Sequence, residues 1–257
     1  MKADTESKIP TNVEIGNFVK IQLRHIEKFK EGYVVRVLSA EYNEEGVEVE
    51  IEGGDEGNVK RILDQISSIS PDHLRQLIDN HENIKFEMKS SFQYDLIASG
   101  QKKTLDKNEK IVSKIMEELA SFMNTKGGIV CLGVTDDKQI IGLEKDFELA
   151  SENYCKKKGV EFTKLDNNKK KDNLKIEICN KLKKYFFKNN DQDNVKIEFV
   201  ELEDKILCCL KAEMSNEPVF IYTEKKTDMG YFRRNDSSTV LYTISEFYEH
   251  IKNNKNL

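Results

Sequence analysis

Acidic side chains on either side of a short β-patterned stretch are the first residues that could do chemistry. Glu82 and Glu87 lie five positions apart, and Asp136 follows a later apolar run. Carboxylate oxygens are the ligands that Mg²⁺ and Mn²⁺ prefer. A cation held by acids at neighbouring strand ends could polarise a phosphodiester and lower the pKa of an attacking water. We therefore predict a Mg or Mn site with Glu82, Glu87 and Asp136 as metal ligands and catalytic residues. Asp137 is an alternative third ligand, although a plain turn residue is favoured at that position.

Lys89 lies two positions after Glu87, so a strand places both side chains on the same face. One interpretation makes Lys89 a catalytic and nucleic-acid-binding residue that stabilises negative charge on a phosphate. The alternative is an ion pair between Glu87 and Lys89 on a solvated strand face, which is worth less than about 1 kcal/mol. The residues alone leave both interpretations open.

Further candidate nucleic-acid contacts lie later in the chain. Lys126 precedes a double glycine whose backbone N–H groups could meet a phosphate, although a purely structural role for the glycines is favoured. Arg233 and Arg234 are consecutive in a β-patterned segment, so only one of them can face a ligand. Tyr231 shares the face of Arg233 and could stack on a base, with core packing as the alternative. Arg234 is expected to pair with an acid such as Asp236.

The composition indicates a protein without a general affinity for polyanions. The chain has 257 residues and a formal net charge of -5, so nucleic-acid binding requires a local basic patch. No apolar run approaches the roughly 18 residues of a membrane helix, and the N-terminus lacks an apolar signal core. We therefore expect a cytoplasmic protein without membrane contact. The five cysteines and four histidines show no spacing typical of a zinc site.

The elements that must position these residues follow from periodicity. Alternating residues predict a strand over 82–89, an apolar stripe predicts a helix over 111–123, and a continuous apolar run predicts a strand over 129–134 that is buried on both faces. In that helix, Glu117 and Glu118 are expected to face solvent. The lysine-rich residues 153–175 are expected to form a solvated surface loop.

The rest of the second half predicts alternating helices and strands. A helix is expected over 174–187, a hairpin over 195–210 that turns at Glu203 and Asp204, and strands over 217–222 and 230–234. Ser245 is expected to cap a last helix.

The N-terminal part predicts a small barrel. Four short β-patterned segments lie over residues 18–23, 32–38, 46–51 and 57–62, separated by glycine turns. Gly32-Tyr-Val34, Gly46-Val47 and Gly57-Asn-Val59 resemble motifs of the small YwbE-like barrel family. We predict a disordered tail over 1–12, the barrel over 13–65, and a linker over 66–81 with a short helix that begins at Pro71 and is capped by Ser70.

Motif pieces in a fixed order carry a second resemblance. They are Glu82, Phe86-Glu-Met-Lys89, Asn124-Thr-Lys-Gly127-Gly128, Gly133-Val-Thr-Asp136, Gly142-Leu143, Pro218 and Tyr231-Phe-Arg233 through Thr239. In this order they resemble the Schlafen AlbA-type domain over about residues 82–251, and we assign the domain to 82–257. The expected fold class is α+β, in which a small N-terminal β-barrel precedes a mixed-sheet domain with flanking helices.

The resemblance implies a function in nucleic-acid binding. In some animal Schlafen nucleases, two glutamates five residues apart and one aspartate hold a divalent metal. These positions correspond to Glu82, Glu87 and Asp136, although the family acid directly follows Gly-Val and Thr135 stands there in this chain. Arg233 matches the arginine of the family. The implied activity is a metal-dependent endoribonuclease that acts on structured RNA such as tRNA.

Two alternative functions remain open. One is a non-catalytic DNA- or RNA-binding regulator, and the other is a protein-interaction scaffold that recruits a partner through the barrel. RNA is favoured over DNA by the resemblance. Because the animal nucleases hold RNA between two AlbA-type lobes and this chain has one, a homodimer is expected.

Overall fold

A computed structural model describes residues 13, 17–24, 27–39, 46–51, 53–62, 69–80, 82, 84–94, 107–187, 191–223 and 228–253. The predicted tail over residues 1–12 lies outside the described residues. The chain divides into two compact units, residues 1–68 and residues 69–257.

The first unit is built from four antiparallel strands. They are β1 (Phe18–Leu23), β2 (Phe29–Val37), β3 (Glu48–Ile51) and β4 (Glu56–Ile62). β1 pairs with β2 and β4, and β3 pairs with the same two strands, so the hydrogen-bonded ring closes. Alternate residues point inward and form a small core of mostly β-branched side chains, including Val19, Ile21, Val49, Ile51 and Val59. The relation to the YwbE-like family stays a prediction.

Helix α1 (Pro71–Asp79) belongs to the second unit. It begins as predicted, because the Ser70 hydroxyl accepts a hydrogen bond from the His73 N–H at 3.2 Å. Leu74 and Ile78 on its inner face are fully buried. The predicted linker therefore contributes a helix to the core of the second unit.

The second unit contains a mixed four-stranded sheet in the order β5-β6-β8-β7. Its strands are β5 (Phe86–Lys89), β6 (Gly128–Leu132), β7 (Val195–Leu202) and β8 (Lys205–Ala212). β5 and β6 are parallel, and the other neighbours are antiparallel. The β7–β8 hairpin turns at Glu203 and Asp204, as predicted, and both residues have positive φ, which suits a two-residue turn.

In the part of the chain that the structure describes, this unit also contains a three-stranded antiparallel sheet and four more α-helices. The strands are β9 (Phe220–Tyr222), β10 (Met229–Asn235) and β11 (Ser238–Tyr242), and the helices are α2 (Glu109–Met123), α3 (Glu144–Lys158), α4 (Asn167–Tyr185) and α5 (Ile244–Asn253). The chain is α+β, which confirms the α+β class that was predicted. Among the described residues, no helix combines the length and the apolar character needed to cross a membrane.

The core of the second unit lies on both faces of the four-stranded sheet. Val130 and Leu132 of β6 pack on the side of α2, α3 and α4. Cys131, between them, packs on the side of α1. The prediction that this strand is buried on both faces is confirmed. α2 also packs against β9, β10 and β11, so it joins the two sheets.

Two local predictions were wrong. The lysine-rich residues 153–175 are mostly helical, since they end α3 and begin α4. Their packing uses polar as well as apolar side chains, such as Asn173, which donates to the Ser151 hydroxyl at 3.0 Å, so the apolar stripe was weak.

The last helix is capped by Thr243, because the Glu246 N–H donates to its hydroxyl at 3.2 Å, and Ser245 lies inside the helix.

Candidate functional site

Glu87 lies on the face of β5 that looks toward α2 and β10. Its neighbours Phe86 and Met88 point to the α1 side of the sheet, because strand residues alternate. Glu87 is only 5% exposed. Its Oε1 accepts a hydrogen bond from the Lys89 ammonium, and its Oε2 accepts one from the Arg234 guanidinium at 2.6 Å. Both oxygens of this predicted metal ligand are therefore engaged by cations of the same chain.

Arg234 is the centre of this arrangement. Its side chain has no exposed surface, and its second terminal nitrogen donates to Glu118 Oε2 at 2.5 Å. The guanidinium carbon lies 4.9 Å from the centroid of the Phe122 ring. The expected partner was an acid such as Asp236, and the structure identifies Glu87 and Glu118 instead. A single guanidinium thus connects β10 to both β5 and α2.

Glu118 is buried, so the prediction that it faces solvent was wrong. It lies three positions after Ile115 and four before Phe122, so it shares their buried face of α2. The Thr239 hydroxyl donates to Glu118 Oε2 and lies 3.0 Å from the Ser121 hydroxyl. Burial and then the charge of Glu87 raise the pKa of Glu118, against the contrary effects of Thr239, Arg234 and Lys89. We call Glu87, Lys89, Glu118, Arg234 and Thr239 the Arg234 network.

Glu82 lies beside this network. Its Oε1 accepts a hydrogen bond from the Met88 N–H at 2.8 Å, and the residue is half-buried. Burial raises the pKa of Glu82, and the charges of Glu87 and Asp136 act in the same direction, while the Met88 N–H opposes them. The other two predicted acids therefore both act on Glu82 electrostatically.

Asp136 is exposed on a turn that follows β6. The Thr135 N–H donates to the Gln139 carbonyl at 3.0 Å, and the Lys138 N–H donates to the Thr135 carbonyl at 2.8 Å. The carboxylate of Asp137 accepts hydrogen bonds from the Thr135 hydroxyl and, at 2.7 Å, from the Gln139 amide. Asp137 therefore stabilises the turn.

Tyr231 and Arg233 lie on the opposite face of β10 from Arg234. Tyr231 is 4% exposed, and its ring centroid lies 4.7 Å from that of Phe247 and 5.5 Å from that of Phe220. The ring of Tyr231 therefore packs in the core, which was the stated alternative to base stacking, and it cannot stack on a base in this arrangement. Arg233 is half-buried, and one of its terminal nitrogens lies 2.9 Å from His250 Nδ1. Burial and Arg233 lower the pKa of His250.

Lys126 is exposed in the turn between α2 and β6. The glycines that follow have structural roles, as favoured by the sequence. Gly127 has a φ of +70°, and a Cβ at Gly128 would lie 2.4 Å from the Phe122 ring. This close approach lets α2 pack on the start of β6, which leaves Lys126 as the residue of this turn that could contact a phosphate.

The family comparison decides the relationship of the chain. The family model described as Schlafen, AlbA_2 matches residues 82–242, which is more than half of the chain. The chain belongs to this family. Membership of the Schlafen AlbA_2 family suggests a protein that binds nucleic acid and resembles nucleases.

Other comparisons add little to the Schlafen AlbA_2 assignment. No curated protein matches the chain significantly. Eleven chains of solved structures match it. One is the DIP2311 protein from Corynebacterium diphtheriae, with 12% sequence identity and a TM-score of 0.38. The match covers 70% of this chain and 32% of that protein, so the chain spans about a third of its length.

The divalent metal of the Schlafen nucleases does not fit the acids of this chain as they are arranged. Within the described residues, no group of three or more His, Cys, Asp or Glu side chains is placed to hold an ion. Glu87 is neutralised by Lys89 and Arg234, and one oxygen of Glu82 is bound to a backbone N–H. The metal site stays a hypothesis that the donor arrangement does not favour.

Proposed function

We propose that this Schlafen AlbA_2 protein binds nucleic acid, RNA in preference to DNA, without a resident metal. The lack of a resident metal is inferred from Glu87, because cations of the same chain engage both of its carboxylate oxygens. In this account Glu87 and Glu118 stabilise the fold, and the acids provide no metal-dependent cleavage.

Charge balance supports this role for the Arg234 network. Its two carboxylates, Glu87 and Glu118, are matched by two cations, Lys89 and Arg234. A divalent cation that used Glu87 as a ligand would have to displace Lys89 or Arg234 from its carboxylate, and breaking a buried ion pair costs about 3–5 kcal/mol. The formal charges of the Arg234 network therefore balance without a metal ion.

Nucleic-acid contact is assigned to side chains that reach the surface near the family motifs. Lys126 is exposed, and Arg233 is half-buried. Lys89 keeps 26% of its side chain exposed while it pairs with Glu87. The preference for RNA rests on the resemblance to the animal Schlafen nucleases.

A gel-shift experiment tests the binding. The full chain is mixed with a labelled RNA hairpin, or with a DNA hairpin of the same sequence, over a series of salt concentrations without divalent metal. We expect a shift of both probes, a tighter one for RNA, and a steep loss of affinity with salt. Absence of any shift at low salt would overturn the proposal and favour the scaffold function.

Metal-dependent cleavage of structured RNA such as tRNA is the second candidate. It is supported by Glu82, whose pKa is raised by burial and, to a smaller extent, by the charges of Glu87 and Asp136. The RNA is incubated with the protein and Mn²⁺, and Asp136→Asn is the matched variant, because Asp136 is exposed. Our account predicts intact RNA with both proteins. Cleavage by the wild type that Asp136→Asn loses would establish the nuclease.

A homodimer is proposed on separate grounds. The chain carries one AlbA-type domain, whereas the animal nucleases hold RNA between two such lobes. We expect a solution mass of two chains at micromolar concentration, measured by sedimentation. A monomer mass that persists after RNA is added would contradict this part of the proposal.

A further inference from the structure

A lysine-rich region lies between two of the family motifs, Gly142-Leu143 and Pro218. Residues 153–175 contain eight lysines and three acids, in a protein whose net charge is -5. Lys156, Lys157 and Lys158 form the last turn of α3, and Lys169, Lys170 and Lys171 lie near the start of α4. The fold therefore concentrates positive charge where these two helices are joined.

Contacts bring the two lysine groups together. The Lys169 ammonium lies 4.4 Å from the centroid of the Tyr154 ring of α3. Lys157 and Lys158 follow Tyr154 by three and four positions, so they lie on the same side of α3 as that ring. We call Lys157, Lys158 and Lys169 the lysine surface.

The helix dipoles favour the lysines of α3 but not Lys169. Lysines at the end of α3 interact favourably with the helix dipole, but Lys169 lies in the first turn of α4, where positive charge is disfavoured. That turn has no acidic residue apart from the capping Asp166. Such a placement costs stability by a few tenths of a kcal/mol to about 1 kcal/mol. A ligand of opposite charge would offset this cost.

Two lysines of the lysine surface are available to a ligand, whereas the neighbouring Lys170 pairs with Glu144 at 3.1 Å. Lys157 and Lys158 are exposed and have no ion pair with any residue that the structure describes. Lys156 pairs with Glu152, and Lys164 pairs with Glu161 at 3.2 Å, both on the exposed surface. Exposed pairs of this kind contribute about 0–1 kcal/mol, so phosphate groups can replace their acids.

We propose that the lysine surface binds the sugar-phosphate backbone of nucleic acid without reading its sequence. This inference rests on the proposed function and gives it a second site, separate from Lys126 and Arg233. An anionic membrane is less suitable as a ligand, because none of the large apolar side chains described between residues 153 and 175 is exposed.

The experiment compares two triple variants of the full chain with equal net charge. In the test variant, Lys157→Gln, Lys158→Gln and Lys169→Gln remove the lysine surface. In the control variant, Lys28→Gln, Lys110→Gln and Lys183→Gln remove three exposed lysines that form no ion pair with described residues. Fluorescence anisotropy measures the affinity for a labelled RNA hairpin at several salt concentrations, and circular dichroism confirms that each variant is folded.

We expect the test variant to bind at least about tenfold more weakly than the wild type at low salt. The slope of log K against log salt should fall by about 2 to 3, since each phosphate contact contributes about 0.7 to 0.9. The control variant should keep most of the affinity. If both variants had equal affinity and equal slope, the inference that the lysine surface binds nucleic acid would be wrong, and the proposed function would be unaffected.

Two further outcomes are distinguishable. If the wild type binds no RNA at low salt, the proposed function itself fails, and the lysine surface fails with it. If the wild type binds vesicles that contain phosphatidylserine, and loses this binding in the test variant while RNA binding is unchanged, the surface is a membrane contact and the inference is wrong.

Discussion

Arg234 gives the first prediction at the scale of single residues. Arg234→Met would leave Glu87 and Glu118 buried without their shared cation, and removal of one partner of a buried ion pair costs about 3–5 kcal/mol. Urea denaturation measures the free energy of unfolding. The control is Arg75→Met, since Arg75 pairs with Glu203 on the surface and its loss should cost less than about 1 kcal/mol. Similar losses for the two variants would contradict the role of the Arg234 network.

A second residue-scale prediction concerns Asp146 in the first turn of α3. Its Oδ1 accepts hydrogen bonds from the Phe92 N–H at 3.2 Å, the Gln93 N–H at 3.0 Å and the Ser91 hydroxyl at 3.1 Å. Burial nevertheless raises the pKa of Asp146 from 3.8 to about 6. The folded state therefore binds this proton more tightly than the unfolded state, and the contribution of Asp146 to stability should rise as the pH falls from 7 to 4.

Asp146→Asn tests this pH dependence. The variant retains an acceptor oxygen and removes the titration. The difference in unfolding free energy, wild type minus variant, should rise by on the order of 2–3 kcal/mol between pH 7 and pH 4. A difference that does not change with pH would show that Asp146 titrates normally.

Part of the site could be predicted from single residues, and part could not. Strand alternation alone places Glu87 and Lys89 on one face, so their ion pair was one of the two stated interpretations. The partner of Arg234 was not predictable from proximity, because Glu118 lies 116 positions away. The signal in the sequence was the position of Glu118 within the apolar stripe of α2. A charged residue at such a position is expected to be buried and to need a partner of opposite charge.

At the scale of elements, the end of α2 explains one family motif. Asn124 donates to the Val219 carbonyl at 2.8 Å and to the Phe232 carbonyl at 2.9 Å, and its oxygen accepts from the Val219 N–H at 2.8 Å. One amide thus fixes α2 to the segment that leads into β9 and to β10. Because β10 carries Arg234, this connection also positions the Arg234 network.

Asn124→Ala should therefore destabilise the protein more than loss of an ordinary helix cap. Three hydrogen bonds of about 1 kcal/mol each predict a cost of about 2–4 kcal/mol. Asn108→Ala is the control at the other end of α2, where the side chain accepts one hydrogen bond from the Lys110 N–H, and it should cost about 1 kcal/mol. Thermal and urea unfolding measure both variants. An equal cost would show that Asn124 acts only as a cap.

The predictability of elements depended on how strong each local signal was. β1 and the start of α1 were predicted to the residue, because strict alternation defines the first and a Ser-Pro cap starts the second. The region of α3 and α4 was mistaken for a loop because lysines dominate it and Ser151 and Asn173 meet within its packing. Apolar periodicity cannot detect a helix whose contacts are partly polar.

At the scale of the molecule, each unit has a core of its own. The core of the first unit, within residues 13–59, shares no residue with the two cores of the second unit, which lie within residues 69–232. We expect residues 69–257, produced alone, to unfold in one cooperative transition at nearly the temperature of the same unit in the full chain. Differential scanning calorimetry measures this. Loss of the transition would show that the first unit is needed for the second to fold.

The central claim is that the chain binds nucleic acid while its acids serve the fold. The most direct measurement is the anisotropy of a labelled RNA hairpin titrated with the full chain, once with EDTA and once with Mn²⁺, with the RNA length checked after each titration. The account predicts saturable, salt-sensitive binding that Mn²⁺ does not strengthen, and RNA of unchanged length. Binding that appears only with Mn²⁺, or RNA that is shortened when Mn²⁺ is present, would contradict it.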